Sequence, residues 1–218
     1  MSFFRRAFLK FRLIIFIFII LPGSFSQIIA LSLETRETRS QQYYLQPTQE
    51  LRLLKKVLTF ERNWKARAET QLIIGILYQK SNSLSYWVKE DWLKLSTELP
   101  EAEKTIDSIP IVFKEIHLDS VSSLEKTLAE EQVQLLYITP IDDKKSPKLL
   151  RDISRVCQKL KIGTFSGVVE YLDSGVAMVF GLKENKAQIF INLEASKEQG
   201  LNFSSQFLRI VKIRNING

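Results

Sequence analysis

The stretch from Leu72 to Tyr78 reads LIIGILY, a short continuous apolar run bounded by glutamines. Such a run, rich in β-branched residues, is typical of a strand that is buried on both faces of a sheet. Residues 49–63 and residues 84–99 flank it, and both place apolar side chains at helical spacing, the second stretch stopping before Pro100. A buried strand between two amphipathic helices predicts a parallel sheet covered by helices.

The same alternation continues along the chain. Further strands are predicted at residues 109–116, 135–139 and 162–165. Two helices are predicted between them: residues 122–131, where Ser122 and Glu125 form a capping box, and residues 146–160, where Ser146 is the cap and Pro147 the first helical residue.

The C-terminal part departs from this order. Residues 176–180 and 187–193 are predicted to be two strands of a hairpin, with Asn185 in the left-handed position of its turn. A helical turn over residues 194–199 ends at Gly200, and residues 204–213 are predicted to form a last amphipathic helix. The predicted fold class is therefore α/β, a single Rossmann-like αβα sandwich with a mostly parallel sheet and a C-terminal antiparallel hairpin.

Residues 1–26 have the organisation of a cleavable secretory signal. Four basic residues and no acid precede the apolar residues 13–21, and Ser24 and Ser26 occupy positions −3 and −1 of a cut before Gln27. Nine apolar residues are too few to cross about 30 Å of hydrocarbon as a helix. An uncleaved anchor and cleavage after Ala30 are the alternatives. We expect a signal peptide at 1–26, a polar leader at 27–48, a domain at 49–218 and a periplasmic location.

Charge and cysteine content limit the function further. The chain has 31 basic and 24 acidic residues, and the signal holds four of the bases, which leaves a mature charge of only +3. This small excess does not favour a nucleic-acid partner. Cys157 is the single cysteine and lies on the apolar side of its helix, so we expect a buried, inert thiol and no intrachain disulfide.

Patterns that would support catalysis are weak. The single histidine, His117, ends a predicted strand without a nucleophile motif around it, and one His with one Cys rules out His-rich and thiolate metal sites. The eight glycines form neither a dinucleotide fingerprint nor a P-loop. Asp142 and Asp143 precede two lysines and read as a solvated loop. We therefore expect no cofactor, no metal and no enzyme activity.

One surface is a candidate for binding a partner or a ligand. Phe60, Arg62, Asn63 and Trp64 follow the first helix and combine aromatic, guanidinium and amide groups, which are frequent in binding hot spots. The alternative is that Phe60 and Trp64 fill the core and that Arg62 is solvated.

Three stretches carry a resemblance to a known family. Residues 54–63 read LKKVLTFERN, residues 136–140 read LYITP, and residues 175–213 read GVAMVFGLKENKAQIFINLEASKEQGLNFSSQFLRIVKI. The chain resembles the YfiR-like family of exported α/β proteins over residues 49–213. Many members carry cysteines that can form a bridge, which this chain lacks, and Phe207 replaces a more typical leucine.

The resemblance implies a periplasmic regulator. Characterised members are similar to a soluble clamp on the periplasmic sensory region of a membrane diguanylate cyclase, and holding that region keeps cyclic-di-GMP low and disfavours biofilm. Such a protein needs no cofactor, and a homodimer is compatible with it. The alternative is a periplasmic small-ligand binder, a sensor or a transporter component. Its ligand would lie near the strand ends at Tyr78, His117, Thr139 and Phe165.

Overall fold

One sheet organises the chain. The computed structural model describes residues 45–142, 146–184 and 186–214, and within these ranges the sheet has eight strands. The strands are β1 (Leu72–Tyr78), β2 (Thr105–Ile106), β3 (Ile109–His117), β4 (Leu135–Ile138), β5 (Gly163–Ser166), β6 (Met178–Lys183), β7 (Lys186–Asn192) and β8 (Lys212–Arg214).

Helices connect these strands. They are α1 (Pro47–Leu58), α2 (Trp64–Ala68), α3 (Ser83–Glu98), α4 (Val121–Glu130), α5 (Ser146–Leu160), α6 (Leu193–Glu198) and α7 (Ser205–Leu208). Two 3₁₀ turns, Glu101–Lys104 and Val169–Ser174, complete the connections.

The sheet is mostly parallel. Its strand order is β2-β3-β1-β4-β5-β6-β7-β8, and all neighbours from β3 to β6 run parallel. The β6–β7 hairpin and the short β2 strand are antiparallel, and β8 returns parallel to β7. The chain goes from β1 to β3 on one side and then to β4 on the other. The order therefore reverses between β1 and β4, where α/β sheets of this kind bind ligands.

The two faces of the sheet bury separate cores. Strand β1 shows how: Ile74 and Ile76 point into the core under α1 and α3, while Ile73 and Leu77 point into the core under α4 and α5. Every residue of β1 is buried, as the unbroken apolar run predicts. The predicted α/β sandwich and the C-terminal hairpin are confirmed.

Several predicted boundaries and caps were wrong. The first helix ends at Leu58 rather than at residue 63, because the Phe60 amide bonds back to the Val57 carbonyl and the chain then leaves the helix axis. Its cap is Gln46, and the helix starts at Pro47, before the predicted residue 49.

The capping box of the fourth helix was also misplaced. Ser120 rather than Ser122 is its cap, and the Ser120 hydroxyl accepts a hydrogen bond from the Ser123 amide. The helix α5 does begin at Ser146, and Gly200 has the positive φ of a helix end.

The predicted last helix was wrong over most of its length. Ser204 caps only one helical turn, and residues 212–214 then pair with β7 as the edge strand. The stretch from Ile210 to Ile213 contains three β-branched residues, which lose side-chain freedom in a helix and suit a strand.

Most of the residues on which the N-terminal predictions rest lie outside the described ranges. The proposed signal at 1–26 and residues 27–44 of the leader lie outside the described residues, as does Asn185, the proposed turn residue. Leu45 is already buried and α1 starts at Pro47, so the folded unit begins before the predicted boundary at residue 49.

Candidate functional site

The segment after α1 is tied to the C-terminal part of the chain. The Arg62 amide donates a hydrogen bond to the Asn202 carbonyl (2.9 Å), and the Ser204 amide donates one to the Phe60 carbonyl (3.0 Å). Between these two bonds, Glu61 and Phe203 form an antiparallel bridge. Residues 202–204 therefore fix the backbone of the predicted surface at residues 60–62.

Glu61 fixes this segment through its side chain. One carboxylate oxygen accepts a hydrogen bond from the Asn202 amide (2.7 Å). The other accepts from the Asn63 amide (3.1 Å) and from the Arg67 guanidinium (3.3 Å). The side chain is fully buried, so these three bonds replace the water that a carboxylate otherwise needs. We call this arrangement the Glu61 clasp.

Sequence reasoning missed Glu61 as a functional residue. It treated residues 49–63 as one helix, and a glutamate near the end of an amphipathic helix reads as solvated. The signal was present in the stretch FERN at residues 60–63, which is part of the family-like motif quoted above.

The four predicted surface residues differ in how far their side chains are exposed. Arg62 and Asn63 are exposed, and the side-chain amide of Asn63 donates to the Gly200 carbonyl (3.2 Å). Phe60 is half-buried and stacks on Phe207, with the ring centroids 5.4 Å apart. Trp64 is only 3% exposed and belongs to the core, so it does not contribute to an exposed surface.

A second candidate site is a cleft at the carboxyl ends of β1, β4 and β5. Its volume is about 320 Å³, and Ser81, Asn82, Asp142 and Tyr171 are among the residues that line it. The cleft lies where the strand order reverses, as the topology requires of a ligand site in such sheets. The Tyr171 hydroxyl accepts a hydrogen bond from the Ile141 amide (2.8 Å), which holds the ring at the wall of the cleft.

Beside this cleft, a chain of hydrogen bonds connects the start of α3 to the carboxyl ends of β1 and β4. The Gln79 amide donates to the Ser85 hydroxyl (2.9 Å), the Ser85 and Thr139 hydroxyls lie 2.5 Å apart, and the Thr139 hydroxyl donates to the Leu77 carbonyl (2.8 Å). Both hydroxyl side chains are fully buried. Their donors and acceptors are used in fixing the start of α3 against β1 and β4, which makes this network structural.

A buried lysine lies at the carboxyl end of β3. The Lys89 ammonium sits 4.2 Å from the Tyr86 ring and 4.8 Å from the Tyr78 ring, and it pairs with Glu90 and, at 3.4 Å, with Glu115. Burial lowers the pKa of Lys89, but the two carboxylates outweigh burial and raise the pKa overall. Lys89 therefore stays charged and acts as a cation between rings and carboxylates, rather than as a neutral nucleophile.

Tyr78 takes part in the same cluster. Its hydroxyl donates to Glu115 (2.5 Å), and burial together with Glu115 raises the pKa of Tyr78 well above its ordinary value. The phenol is therefore neutral and positions Glu115.

His117 and Cys157, which were considered as catalytic or metal-binding groups, lie in different elements of the fold. His117 ends β3 as predicted, half-buried, with its Nδ1 atom 2.7 Å from Asp119. Cys157 is buried in α5, and burial raises the pKa of its thiol to about 12, so it is inert as predicted. Within the described ranges, no group of three or more His, Cys, Asp or Glu side chains could hold a metal ion, and no helix there is long and apolar enough to cross a membrane.

The comparisons with known proteins give the family. The model of the domain family described as YfiR/HmsC-like (DUF4154) matches residues 51–212. The chain belongs to the YfiR/HmsC-like family. The match starts within α1 and ends at β8, so the family region includes the Glu61 clasp, both cores and the cleft. The predicted resemblance is confirmed. No curated protein matches the chain.

Solved structures of low identity show the same kind of fold. One is the ligand-free, open form of CD0873, a substrate-binding protein with adhesive properties from Clostridium difficile (14% identity, TM-score 0.51, 73% of this chain and 59% of that one). Another is a conserved domain protein from Vibrio cholerae (14% identity, TM-score 0.52, 78% of this chain and 60% of that one). The YfiR/HmsC-like chain thus spans about 60% of the length of these structures.

Proposed function

We propose that this protein is an exported, non-catalytic regulator that binds the periplasmic sensory region of a membrane diguanylate cyclase and so lowers cyclic-di-GMP. The observation that carries the proposal is the family match over residues 51–212, because the resemblance to YfiR-like proteins implies a periplasmic regulator rather than an enzyme. The state of the candidate groups supports a binding function, because Lys89 is held as a cation by two carboxylates and the Cys157 thiol is buried with a raised pKa.

Arg62 and Asn63, with the exposed edge of Phe60, are our candidate partner surface. The Glu61 clasp presents these side chains on a rigid backbone, so little conformational entropy is lost when a partner binds. Arginine and aromatic residues are also enriched in binding hot spots.

The test is a deletion strain complemented with single variants. We expect deletion to raise cyclic-di-GMP and the wild type to restore its level. Arg62→Glu should fail to restore it, while the free energy of unfolding stays within about 0.5 kcal/mol because Arg62 is exposed. The matched control is Arg151→Glu, which makes the same charge change on the exposed side of α5. If deletion leaves cyclic-di-GMP unchanged under every growth condition, the regulatory proposal is wrong.

Export is part of the same proposal. Mass spectrometry of the periplasmic fraction should find a mature chain that starts near Gln27. An intact N-terminus confined to the membrane fraction would contradict the cleaved signal.

A second candidate function is the binding of a small ligand in the cleft at the strand ends. Its support is the position of the cleft at the reversal of strand order and its mixed polar and apolar lining. Native mass spectrometry of the purified protein tests it: a co-purifying small molecule that is lost from Tyr171→Ala favours this function, and ligand-free protein speaks against it.

A further inference from the structure

An apolar groove of about 370 Å³ lies beside the candidate surface, between α1, β7 and the C-terminal segment. Its apolar lining includes Leu53 of α1, Ile189 of β7, and the ring pair of Phe60 and Phe207. We call it the lysine groove, because three lysines stand around its apolar lining.

Lysines from three separate elements line the groove. They are Lys56 of α1, Lys186 of β7 and Lys212 of β8, and all three side chains are exposed. Among the residues that the structure describes, no acidic residue lines the groove and none of the three lysines forms an ion pair. Three like charges around a low-dielectric concavity give it a positive potential, which attracts an acidic ligand.

Ile210 marks the groove as a contact surface. It is 68% exposed, more than any other large hydrophobic side chain in the described part of the chain. It lies on the groove wall, between the single turn of α7 and the edge strand β8. An exposed isoleucine that continues an apolar groove is typical of an interaction surface.

We propose that the lysine groove binds an acidic, partly apolar segment of a partner protein. Apolar side chains of that segment would lie on the Phe60–Phe207 ring pair and Ile210, and its carboxylates would face Lys56, Lys186 and Lys212. This inference deepens the proposed function, because it assigns the chemistry of the partner surface to a groove that shares Phe60 with the candidate site. The concave shape suits a chain segment better than a flat lipid surface, and the mature charge of about +3 is too small to favour nucleic acid.

Binding of a defined peptide tests the chemistry of the groove. The probe is a fluorescent peptide of leucine and glutamate, and its counterpart has lysine in place of glutamate. The mature protein should bind the acidic peptide and not the basic one. We expect the dissociation constant to rise by at least about tenfold in the Lys56→Glu/Lys212→Glu double variant, since attraction becomes repulsion. Ile210→Ser should also weaken binding.

The matched control is Lys126→Glu/Lys148→Glu. It makes the same charge change at exposed positions of α4 and α5, whose apolar sides pack on the opposite face of the sheet. If the groove variants bind the acidic peptide as tightly as this control, the proposal is wrong. Urea unfolding confirms that each variant is folded.

The same variants distinguish two other possible occupants of the groove, a lipid surface and a second copy of the chain. Binding to phosphatidylglycerol vesicles that exceeds binding to the peptide, and that is lost in the groove variants, would identify a lipid surface and overturn the proposal. A dimer that becomes monomeric in the groove variants, measured by light scattering, would identify a second copy of the chain and also overturn it.

The cellular experiment separates this inference from the proposed function. If deletion raises cyclic-di-GMP and the groove variants still restore it fully, the regulatory function stands and the groove assignment fails. If deletion has no effect, the regulatory function fails, and the peptide result alone decides whether the groove binds acidic segments.

Discussion

Glu50 is a carboxyl group enclosed in an apolar core, and replacing it should stabilise the protein at neutral pH. The residue lies in the first turn of α1 and is 1% exposed. Neither carboxylate oxygen makes a hydrogen bond of good geometry. Burial raises the pKa of Glu50 to about 8, and the nearby Tyr137 and Trp92 side chains lower the pKa by less. The carboxyl is therefore largely protonated in the folded protein at pH 7.

This pKa makes the stability depend on pH in a defined direction. In the unfolded chain the pKa is near 4.5, so between pH 4.5 and 8 the folded state binds a proton that the unfolded state has lost. The contribution of Glu50 to the free energy of unfolding is therefore most favourable below pH 4.5, and it falls as the pH rises towards 8. At pH 7 the loss amounts to roughly 3–4 kcal/mol, from about 2.5 pH units at about 1.4 kcal/mol each.

Glu50→Gln keeps the shape of the side chain and removes the titration. Urea unfolding should show the variant to be more stable than the wild type by up to roughly 3–4 kcal/mol at pH 7, with the difference vanishing near pH 4. Glu98→Gln, at an exposed position of α3, is the control and should show no such trend. Parallel stability curves for wild type and Glu50→Gln across this pH range would refute the reasoning.

Two further predictions concern the clasp and the thiol. Glu61→Gln should lower the free energy of unfolding by about 1–3 kcal/mol, because an NH₂ group would then face a backbone amide donor and Arg67 would lose its charged partner. A change below about 0.5 kcal/mol in urea unfolding would show that the clasp is dispensable. Reducing agent should leave the unfolding temperature unchanged, because Cys157 is a lone buried thiol. A shift of several degrees in the monomer would contradict this.

The strands could be predicted from sequence because burial on both faces of a sheet requires an unbroken run of apolar residues. The run of β1 is buried at every position, and its ends agree with the sequence prediction. The final segment could not be predicted in the same way. The apolar residues of 204–213 fit both the helical period and the strand period. Residues 212–214 form the strand β8 because they pair with β7, and a pairing between distant segments is not visible in the local sequence.

The candidate site was predictable only in part. The sequence located the segment after α1 because aromatic and charged residues cluster there, and Arg62 and Asn63 are indeed exposed. The family-like stretch FERN could draw attention to Glu61, but its role as a clasp could not be predicted, since that role depends on a contact with Asn202, far along the chain. The lysine groove is hidden for the same reason, because Lys56, Lys186 and Lys212 come together only through folding.

The Glu61 clasp also determines which variants can identify a partner surface. Arg67, one partner of Glu61, donates to the Lys161 carbonyl, and its own carbonyl accepts a hydrogen bond from Gln134, so the clasp reaches the ends of α5 and α4. A variant at Glu61 that loses regulation would therefore show only that the segment has moved. Phe60 is unsuitable as well, because its ring stacks on Phe207. The side chains of Arg62 and Lys212 are exposed and belong neither to the Glu61 clasp nor to this ring pair, so a loss of regulation at either position, in a protein of unchanged stability, would report directly on binding.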